Sequence, residues 1–313
     1  MRIAFMGTPE FAVPSLEALV AGGYEVVGVF TQPDRPKGRG NKLAPSPVKE
    51  CALKLGIPVF QPVRIRKDGV EDLKCLKPDL CVTAAFGQIL SQEILDIPPL
   101  GTVNVHASLL PRHRGSAPIN WCILMGEEKT GITTMLTDKG IDTGNILLQR
   151  ELAILPGETA GELSGRMAQL GAQTLMETLC LIQPGKCCPI PQNEAEYTYE
   201  PMLKKEMGQI DWRKSAREIV CQVRGLIPWP GAYTSYPEGI LKVWKAEADM
   251  SLSGLPGQVL LADAKQGLAV AAGEGAVRII TLQSPGSKQM DAKDYLRGHP
   301  LQTGQIWQEE QHD

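Results

Sequence analysis

Short apolar runs alternate with helical patterns along the first 180 or so residues. The runs at 2–7, 25–32, 79–86 and 102–108 predict strands, and the last helical pattern covers roughly 159–183. The run at 79–86 is almost continuously apolar, which is typical of a parallel strand buried on both faces. Strands that alternate with helices predict an open, doubly wound α/β sheet.

The pattern changes after this region. Residues 183–201 contain several prolines and no apolar periodicity, which predicts a linker. Residues 231–283 contain short apolar stretches separated by Gly, Pro and Asp, and this spacing is typical of a small antiparallel barrel. Within the first region, residues 33–47 are so rich in Pro and Gly that we expect no regular structure there.

Composition narrows the class of protein. A chain of 313 residues with 43% hydrophobic and 21% charged residues is typical of a soluble protein with two domains, and its net charge of −3 gives no overall basic field. No apolar run reaches the ~18 residues of a membrane span. Eight cysteines without a C-x-x-C pair or a secretory pattern predict a cytoplasmic protein, and four histidines without paired spacing predict no metal site.

One turn of the first domain argues against a class of cofactor. The first strand-to-helix turn, residues 6–11, reads MGTPEF and lacks the G-x-G-x-x-G spacing of dinucleotide-binding turns. The sequence therefore disfavours a nicotinamide cofactor.

Three polar residues are candidates for catalysis. Asn104 and His106 are two residues apart on a predicted strand, so their side chains point to the same side. Asp142 lies between Gly140 and Gly144 in a loop that can turn its carboxylate inward. The amide and the imidazole can donate to an oxygen that gains negative charge, and the carboxylate can orient the imidazole and favour its protonated form.

Each of these residues also has a structural interpretation, as a polar residue at the end of a strand or as an ordinary turn aspartate. No serine or cysteine is placed as a nucleophile, which favours direct acyl transfer to an external amine over a covalent intermediate.

The chain resembles a known family. The stretches NVHASLLPRHRGSAPINW (104–121) and TDKGIDTG (137–144) together resemble the 10-formyltetrahydrofolate-dependent formyltransferases. The start (2–19), the insertion at 29–49 and the stretches 229–236 and 241–246 are similar to the members whose acceptor is initiator methionyl-tRNA. The resemblance implies a Rossmann-like catalytic domain (1–189), a linker (190–207) and a carboxy-terminal OB-like β-barrel that binds tRNA (208–313), in a monomer.

The resemblance also implies roles for single residues. Asn104, His106 and Asp142 match the family's catalytic residues, and 10-formyltetrahydrofolate is the expected co-substrate, without a metal. The residues expected to bind the folate are Phe86, Gly87, Gln88, Ile89, Leu90, Ser108, Leu109, Leu110, Pro111 and Asp138.

The expected contacts with tRNA are basic residues of the insertion and of the carboxy-terminal domain. They are Arg35, Lys37, Arg39, Lys42, Lys204, Lys205, Arg213, Lys214, Arg217, Lys242 and Lys245. From the residues alone, the basic insertion is better explained as a flexible, solvated loop, and it is the family resemblance that favours contact with tRNA.

Three other functions remain open at this point. The chain could formylate an amino sugar nucleotide or a small amine, although such an acceptor has no use for the basic insertion. It could hydrolyse formyltetrahydrofolate by delivering the formyl group to water. It could also be an inactive RNA-binding module, although a binder needs none of the three catalytic residues.

Overall fold

The structure is a computed structural model that describes residues 1–37, 42–182 and 188–307. The chain divides into two compact units. The first comprises residues 1–118, 129–153 and 164–200, and the second comprises residues 119–128, 154–163 and the chain from 201 onwards.

The first unit contains a seven-stranded sheet in the order β10-β9-β7-β6-β1-β2-β5, with two smaller two-stranded pairs, β3-β4 and β8-β11. The strands are β1 (Arg2–Gly7), β2 (Glu25–Phe30), β3 (Arg35–Lys37), β4 (Lys42–Ala44), β5 (Val59–Phe60), β6 (Leu80–Ala84), β7 (Thr102–His106), β8 (Arg114–Gly115), β9 (Lys129–Leu136), β10 (Ile146–Ala153) and β11 (Tyr199–Glu200). The strands from β7 to β5 are parallel, and β9 and β10 are antiparallel to their neighbours. The predicted α/β class is therefore confirmed.

The helices up to residue 200 connect these strands. They are α1 (Val13–Ala21), α2 (Pro47–Lys54), α3 (Ile65–Asp68), α4 (Val70–Leu76), α5 (Gln92–Leu95), α6 (Pro118–Leu124) and α7 (Ala160–Ile182), with a short 3₁₀ helix at Glu10–Ala12. Alternation along the strands gives the sheet two buried faces. Ala4 and Met6 pack with apolar residues of α3, α4 and α5, whereas the Thr134 hydroxyl lies 2.7 Å from that of Thr178 on α7.

The Pro- and Gly-rich segment 33–47 differs from the prediction of no regular structure. β3 and β4 pair there in an antiparallel ladder that joins Arg35 to Ala44 and Lys37 to Lys42. A two-stranded ladder uses the N–H groups of alternate residues only, so it tolerates Pro36. Next to it, hydrogen bonds from Lys49 and Gln61 lower the pKa of the Asp34 carboxyl.

The segment predicted as a linker also differs from that interpretation. Residues 190–200 belong to the first unit, where β11 pairs in parallel with β8 and Ile190 exchanges two backbone hydrogen bonds of 2.8 Å with Ile146. Backbone groups make these contacts, so no apolar periodicity marks them in the sequence.

The second unit is built on an antiparallel sheet in the order β12-β13-β16-β15-β14, with β17 paired to β16. Its strands are β12 (Ala232–Tyr236), β13 (Gly239–Asp249), β14 (Val259–Asp263), β15 (Gly267–Ala271), β16 (Ala276–Gln283) and β17 (Met290–Asp291), and its helices are α8 (Ala216–Gly225) and α9 (Ala292–Gly298), with a 3₁₀ helix at Lys205–Gly208. The predicted antiparallel carboxy-terminal domain is confirmed, and β12 and β14 end the strand order.

One apolar core holds the second unit together. Ile219 and Val223 of α8 and Leu296 of α9 are buried among side chains from the sheet. A capping box at Ser215 and Glu218 starts α8, a contribution of about 1 kcal/mol. All five tryptophans of the chain lie in this unit.

Within the described residues, no helix is long and apolar enough to cross a membrane.

Candidate active site

Asn104, His106 and Asp142 converge in the first unit. The Asp142 Oδ1 atom lies 3.4 Å from the Asn104 amide nitrogen and 3.5 Å from His106 Nδ1. The other oxygen, Oδ2, accepts a hydrogen bond of 2.9 Å from the backbone N–H of Gly115. The side chains of His106 and Asp142 are 7% and 16% exposed, so the cluster is largely shielded from bulk water.

Strand pairing orients the amide of Asn104. Thr83 on β6 pairs with Asn104 on β7, and its hydroxyl donates 2.9 Å to the amide oxygen. Because the oxygen is held there, the NH₂ group faces Asp142. β6 and β7 are parallel to each other, so their carboxyl ends lie side by side, and the site is at these ends. Open α/β sheets bind their ligands at this position.

A backbone carbonyl fixes the proton position on His106. Its Nε2 atom lies 3.0 Å from the carbonyl oxygen of His113, which can only accept a hydrogen bond. Nε2 therefore carries a hydrogen, and Nδ1 is the nitrogen that faces the site. Nδ1 accepts a proton when the ring is neutral and donates a hydrogen bond when the ring is charged.

The loop that carries Asp142 is closed tightly. Asp142 has a φ of +54°, and a Cβ at Gly144 would lie 1.6 Å from the carbonyl oxygen of Leu136. Glycine is required at position 144 because the backbone of β9 approaches so closely. Asp138 Oδ1 also accepts from the Gly140 N–H at 3.0 Å and from the Thr143 hydroxyl at 2.7 Å. Asp138 is predicted to bind the folate, yet one of its two carboxylate oxygens is used to stabilise the loop itself.

The loop that carries Asp142 is contacted by a segment that the sequence did not predict to be part of the site. Residues 188–200, here called the arm, bring Gln192 to the carbonyl oxygens of Asp142 and Gly144, each 2.8 Å from its amide nitrogen. The Gln192 oxygen accepts from Arg114, whose guanidinium also binds Glu194 and lowers its pKa. Arg114 is only 3% exposed. The arm shows no helical or strand periodicity, so no signal in the sequence marks it.

The arm also reaches the residue that supports His106. The His113 ring Nδ1 lies 3.0 Å from the carboxylate of Glu200, and both side chains are about 4% exposed. The Thr198 hydroxyl donates to the same carboxylate oxygen at 3.1 Å and accepts from the His113 N–H at 2.8 Å. These contacts hold His113 at a φ of +57°, the conformation that turns its carbonyl towards His106.

The predicted folate wall at 86–90 contains side chains with different surroundings. Phe86 is buried, Leu90 packs on the same apolar cluster, and Ile89 is 69% exposed. The Gln88 amide is used within the protein, because its oxygen accepts from the Ile65 N–H at 2.7 Å and its nitrogen donates to a carbonyl at 3.0 Å. Gly87 and Ile89 are the exposed residues of this wall, and the Gly87 carbonyl already accepts a hydrogen bond from Gln32.

An open surface cavity of about 340 Å³ adjoins this wall. Its lining residues are Val63, Arg64, Arg66, Gly87, Gln88 and Ile89. The sequence analysis did not predict the two arginines, because Arg64 only caps the short helix α3, Arg66 lies within it, and neither belongs to a motif.

The predicted folate segment at 108–111 is held by polar contacts from β9 and β10. Thr133 Oγ1 donates to the Ser108 carbonyl at 2.7 Å and accepts from the Leu110 N–H at 3.1 Å. The Gln149 amide donates to the Leu110 carbonyl at 2.8 Å. Ser108 Oγ donates to the Arg112 carbonyl, so its hydroxyl is already paired. Pro111 follows Leu110 through a cis peptide bond, and Leu109 is partly exposed.

The predicted tRNA-binding residues are exposed where the structure describes them. Arg35, Lys204, Lys205, Arg213, Lys214, Arg217, Lys242 and Lys245 are the exposed ones. Arg39 lies outside the described residues, as do the side chains of Lys37 and Lys42, whose backbones pair in β3 and β4. Arg213 binds Asp211, and Lys245 lines an open cavity of about 480 Å³ of the second unit together with Trp244.

In the described part of the chain, no group of three or more His, Cys, Asp or Glu side chains lies close enough together to hold a metal ion.

Comparison with known proteins identifies the family of this site. The formyl transferase model matches residues 1–179, and the model of the formyl transferase C-terminal domain matches residues 202–300. The methionyl-tRNA formyltransferase of Trichlorobacter lovleyi is 52% identical over 306 residues, which cover 97% of this chain and 96% of that protein. The enzyme of the same name from Clostridioides difficile is 48% identical and covers 98% of this chain and 99% of its own length. The chain belongs to the methionyl-tRNA formyltransferase family. The predicted enzyme class, a formyl-transferring enzyme, is thereby confirmed.

More distant solved structures share the family fold. An N-formyltransferase from Helicobacter canadensis, solved with folinic acid and dTDP-3-aminofucose, has a TM-score of 0.69 at 20% identity and covers 92% of this chain and 99% of its own. HypX from Aquifex aeolicus, solved with tetrahydrofolic acid, has a TM-score of 0.64 at 18% identity and covers 98% of this chain and 50% of its own.

Proposed function

We propose that this protein transfers the formyl group of 10-formyltetrahydrofolate to the α-amine of initiator methionyl-tRNA. The observation that carries the proposal is that the Asn104 amide and the His106 ring converge on one oxygen of the Asp142 carboxylate. The chain that holds them is about half identical to a methionyl-tRNA formyltransferase. The products are N-formylmethionyl-tRNA and tetrahydrofolate.

The first step forms a tetrahedral intermediate. The lone pair of the neutral amine becomes the new bond to the formyl carbon, and the C=O π electrons move to the formyl oxygen. Asn104 Nδ2 and Nδ1 of a protonated His106 ring are the donors for this negative oxygen, since Nδ1 carries a hydrogen only when the ring is charged. In the structure, both face Asp142 Oδ1 at 3.4 and 3.5 Å, distances at the long end for hydrogen bonds, so neither donor is committed to a short contact there. Losing one such donor typically raises a barrier by ~3–4 kcal/mol.

The second step needs two proton movements. The attacking nitrogen gives up a proton to the Asp142 carboxylate, which lies against His106 Nδ1. A lone pair of the negative oxygen then re-forms the C=O bond as the bond between the formyl carbon and N10 breaks. The electron pair of the broken bond goes to N10, and the Asp142–His106 pair returns the proton to N10. The pair therefore begins and ends the reaction in the same protonation state.

The folate is proposed to lie along Phe86 to Leu90 and Ser108 to Pro111, with Asp138 at the loop. The exposed apolar side chain of Ile89 offers a surface for a ring of the folate. Arg64 and Arg66, which line the adjoining cavity, can pair with the carboxylates of the folate's glutamate tail. The exposed lysines and arginines of the second unit, together with the insertion around Arg39, are proposed to contact the tRNA backbone.

The testing experiment measures transfer of a labelled formyl group from 10-formyltetrahydrofolate to charged initiator tRNA. Elongator methionyl-tRNA, a free amino sugar nucleotide and water are the competing acceptors. We expect transfer to the initiator tRNA alone. Equal transfer to both tRNAs removes the specificity, and release of formate without transfer identifies a hydrolase instead.

A further inference from the structure

Gln192 occupies a junction between a buried arginine and the catalytic loop. Its amide nitrogen lies 2.8 Å from each of two carbonyl oxygens, those of Asp142 and Gly144. Its amide oxygen lies 3.0 Å from Arg114 Nε and 2.8 Å from Arg114 Nη2. All the main hydrogen-bonding capacity of the side chain is thus used, with two donors on the loop and the acceptor on Arg114.

We propose that Gln192 is a positioning residue for formyl transfer, which holds the Asp142 carboxylate beside Asn104 and His106 through the backbone of the 142–144 loop. The proposal rests on the proposed function, since it gives Asp142 a role in the reaction. Gln192 itself does not touch the reacting atoms.

The loop needs an external support because its own backbone is constrained. Asp142 adopts a φ of +54°, a conformation that side-chain-bearing residues rarely adopt and that persists only where the surroundings hold it. The Gly115 N–H fixes only the carboxylate, whereas Gln192 fixes the carbonyls on either side of Thr143. Together they hold both the side chain and the main chain of the catalytic residue.

Arg114 makes the support rigid. Its guanidinium is buried, binds Glu194 as well as Gln192, and lies 5.1 Å from the ring centre of Tyr197. All of these partners belong to the arm, and Arg114 itself belongs to β8, next to Gly115. The same short strand therefore contacts the carboxylate of Asp142 directly and its backbone through Gln192.

The chemistry of the junction requires an amide. A carboxylate at position 192 would still bind Arg114, but it would place an oxygen against two carbonyl oxygens. A methionine has nearly the same shape and length, and it offers no N–H donor. Gln192→Glu and Gln192→Met thus remove the two donors in different ways while keeping the volume of the side chain.

The experiment compares both variants with the wild type in the formyl-transfer assay. We expect kcat to fall about 10- to 100-fold, because a displaced catalytic group costs rate, while KM for folate and for tRNA stays within about two-fold. The matched control is Asn193→Ala, which removes neighbouring contacts of the arm to Ala195 and Glu196 and should leave kcat unchanged. A wild-type kcat in Gln192→Glu overturns the proposal, even if Gln192→Met fails to fold.

Two further measurements separate positioning from general stability. In Asp142→Asn, adding Gln192→Met should cause little additional loss of kcat, because the group being positioned is already disabled; fully additive losses contradict the proposal. Hydrogen exchange should become faster at residues 138–145 and stay unchanged in the rest of the sheet. Unchanged exchange in this loop also contradicts it. This second readout needs no substrate, so failure of the wild type to transfer formyl groups would remove the proposed function without deciding the role of Gln192.

Discussion

The catalytic cluster of the first unit and the basic residues of the second are built in opposite ways. Asn104, His106 and Asp142 are mostly shielded from solvent, and each is fixed by a further group, Thr83, the His113 carbonyl or Gly115. The basic residues of the second unit that are predicted to bind tRNA are exposed, and several lie on turns or helix starts. The difference has a physical reason. A catalytic site that stabilises a transient charge needs groups oriented in advance, whereas a surface that attracts a polyanion needs charge without a fixed geometry.

The largest expected effect lies in the catalytic cluster. Asp142→Asn keeps the shape of the side chain but removes the proton acceptor, so we expect turnover to fall at least about 100-fold with folate binding largely intact. Single-turnover kinetics and a folate titration measure the two quantities separately. Near-normal turnover would remove the proton role of Asp142 and the contrast between the two regions.

The next effect tests the group behind the amide. Thr83→Val removes the hydroxyl that holds the Asn104 oxygen, and we expect kcat to fall about 10-fold because the amide is no longer oriented. Thr134→Val is the matched control, since that hydroxyl pairs with Thr178 on the other face of the same sheet. Equal kcat values for the two variants would mean that strand pairing alone orients the amide.

Smaller effects are expected for the basic residues. Arg39→Ala should raise KM for tRNA about three-fold, leave kcat nearly unchanged and reduce the salt slope of tRNA binding by about one. Lys265→Ala, an exposed lysine outside the predicted set, serves as the control. If binding and its salt dependence do not change for Arg39→Ala, the insertion is a solvated loop.

The smallest effect concerns stability and leaves catalysis alone. Hydrogen bonds from Ser251 and then Arg278 lower the pKa of Asp249 to about 2. The carboxylate therefore stabilises the fold above the pKa of about 3.9 of an unfolded aspartate, and this contribution is lost as pH falls towards 2. We expect Asp249→Asn to lower the urea midpoint at pH 7 and to approach the wild type at pH 3, as followed by tryptophan fluorescence. A gap that does not shrink on acidification would exclude this carboxylate as the cause.

Alternation along one strand was enough to predict that Asn104 and His106 share a face. The α/β class also followed from periodicity, because buried parallel strands leave long apolar runs. The pairing of β3 with β4 could not be predicted in the same way, since proline and glycine dominate the composition of segment 33–47 and only a short ladder forms there.

The supports of the catalytic residues were not predictable for a different reason. Glu200 and Gln192 act through side-chain hydrogen bonds to residues far away in the sequence, and neither belongs to a periodic pattern. The choice of the His106 nitrogen that faces the site depends on a carbonyl of the backbone, which no residue type reveals. The roles of the folate and tRNA residues stay predictions.

The position of the arm has a practical consequence for dividing the chain. The formyl transferase model ends at residue 179, and the predicted catalytic domain ends at 189, yet the contacts with Asp142 and His113 come from residues up to 200. A fragment designed on either boundary would discard the last pieces of the scaffold around the reaction centre. Any shortened version of the first unit therefore has to retain the chain through Glu200.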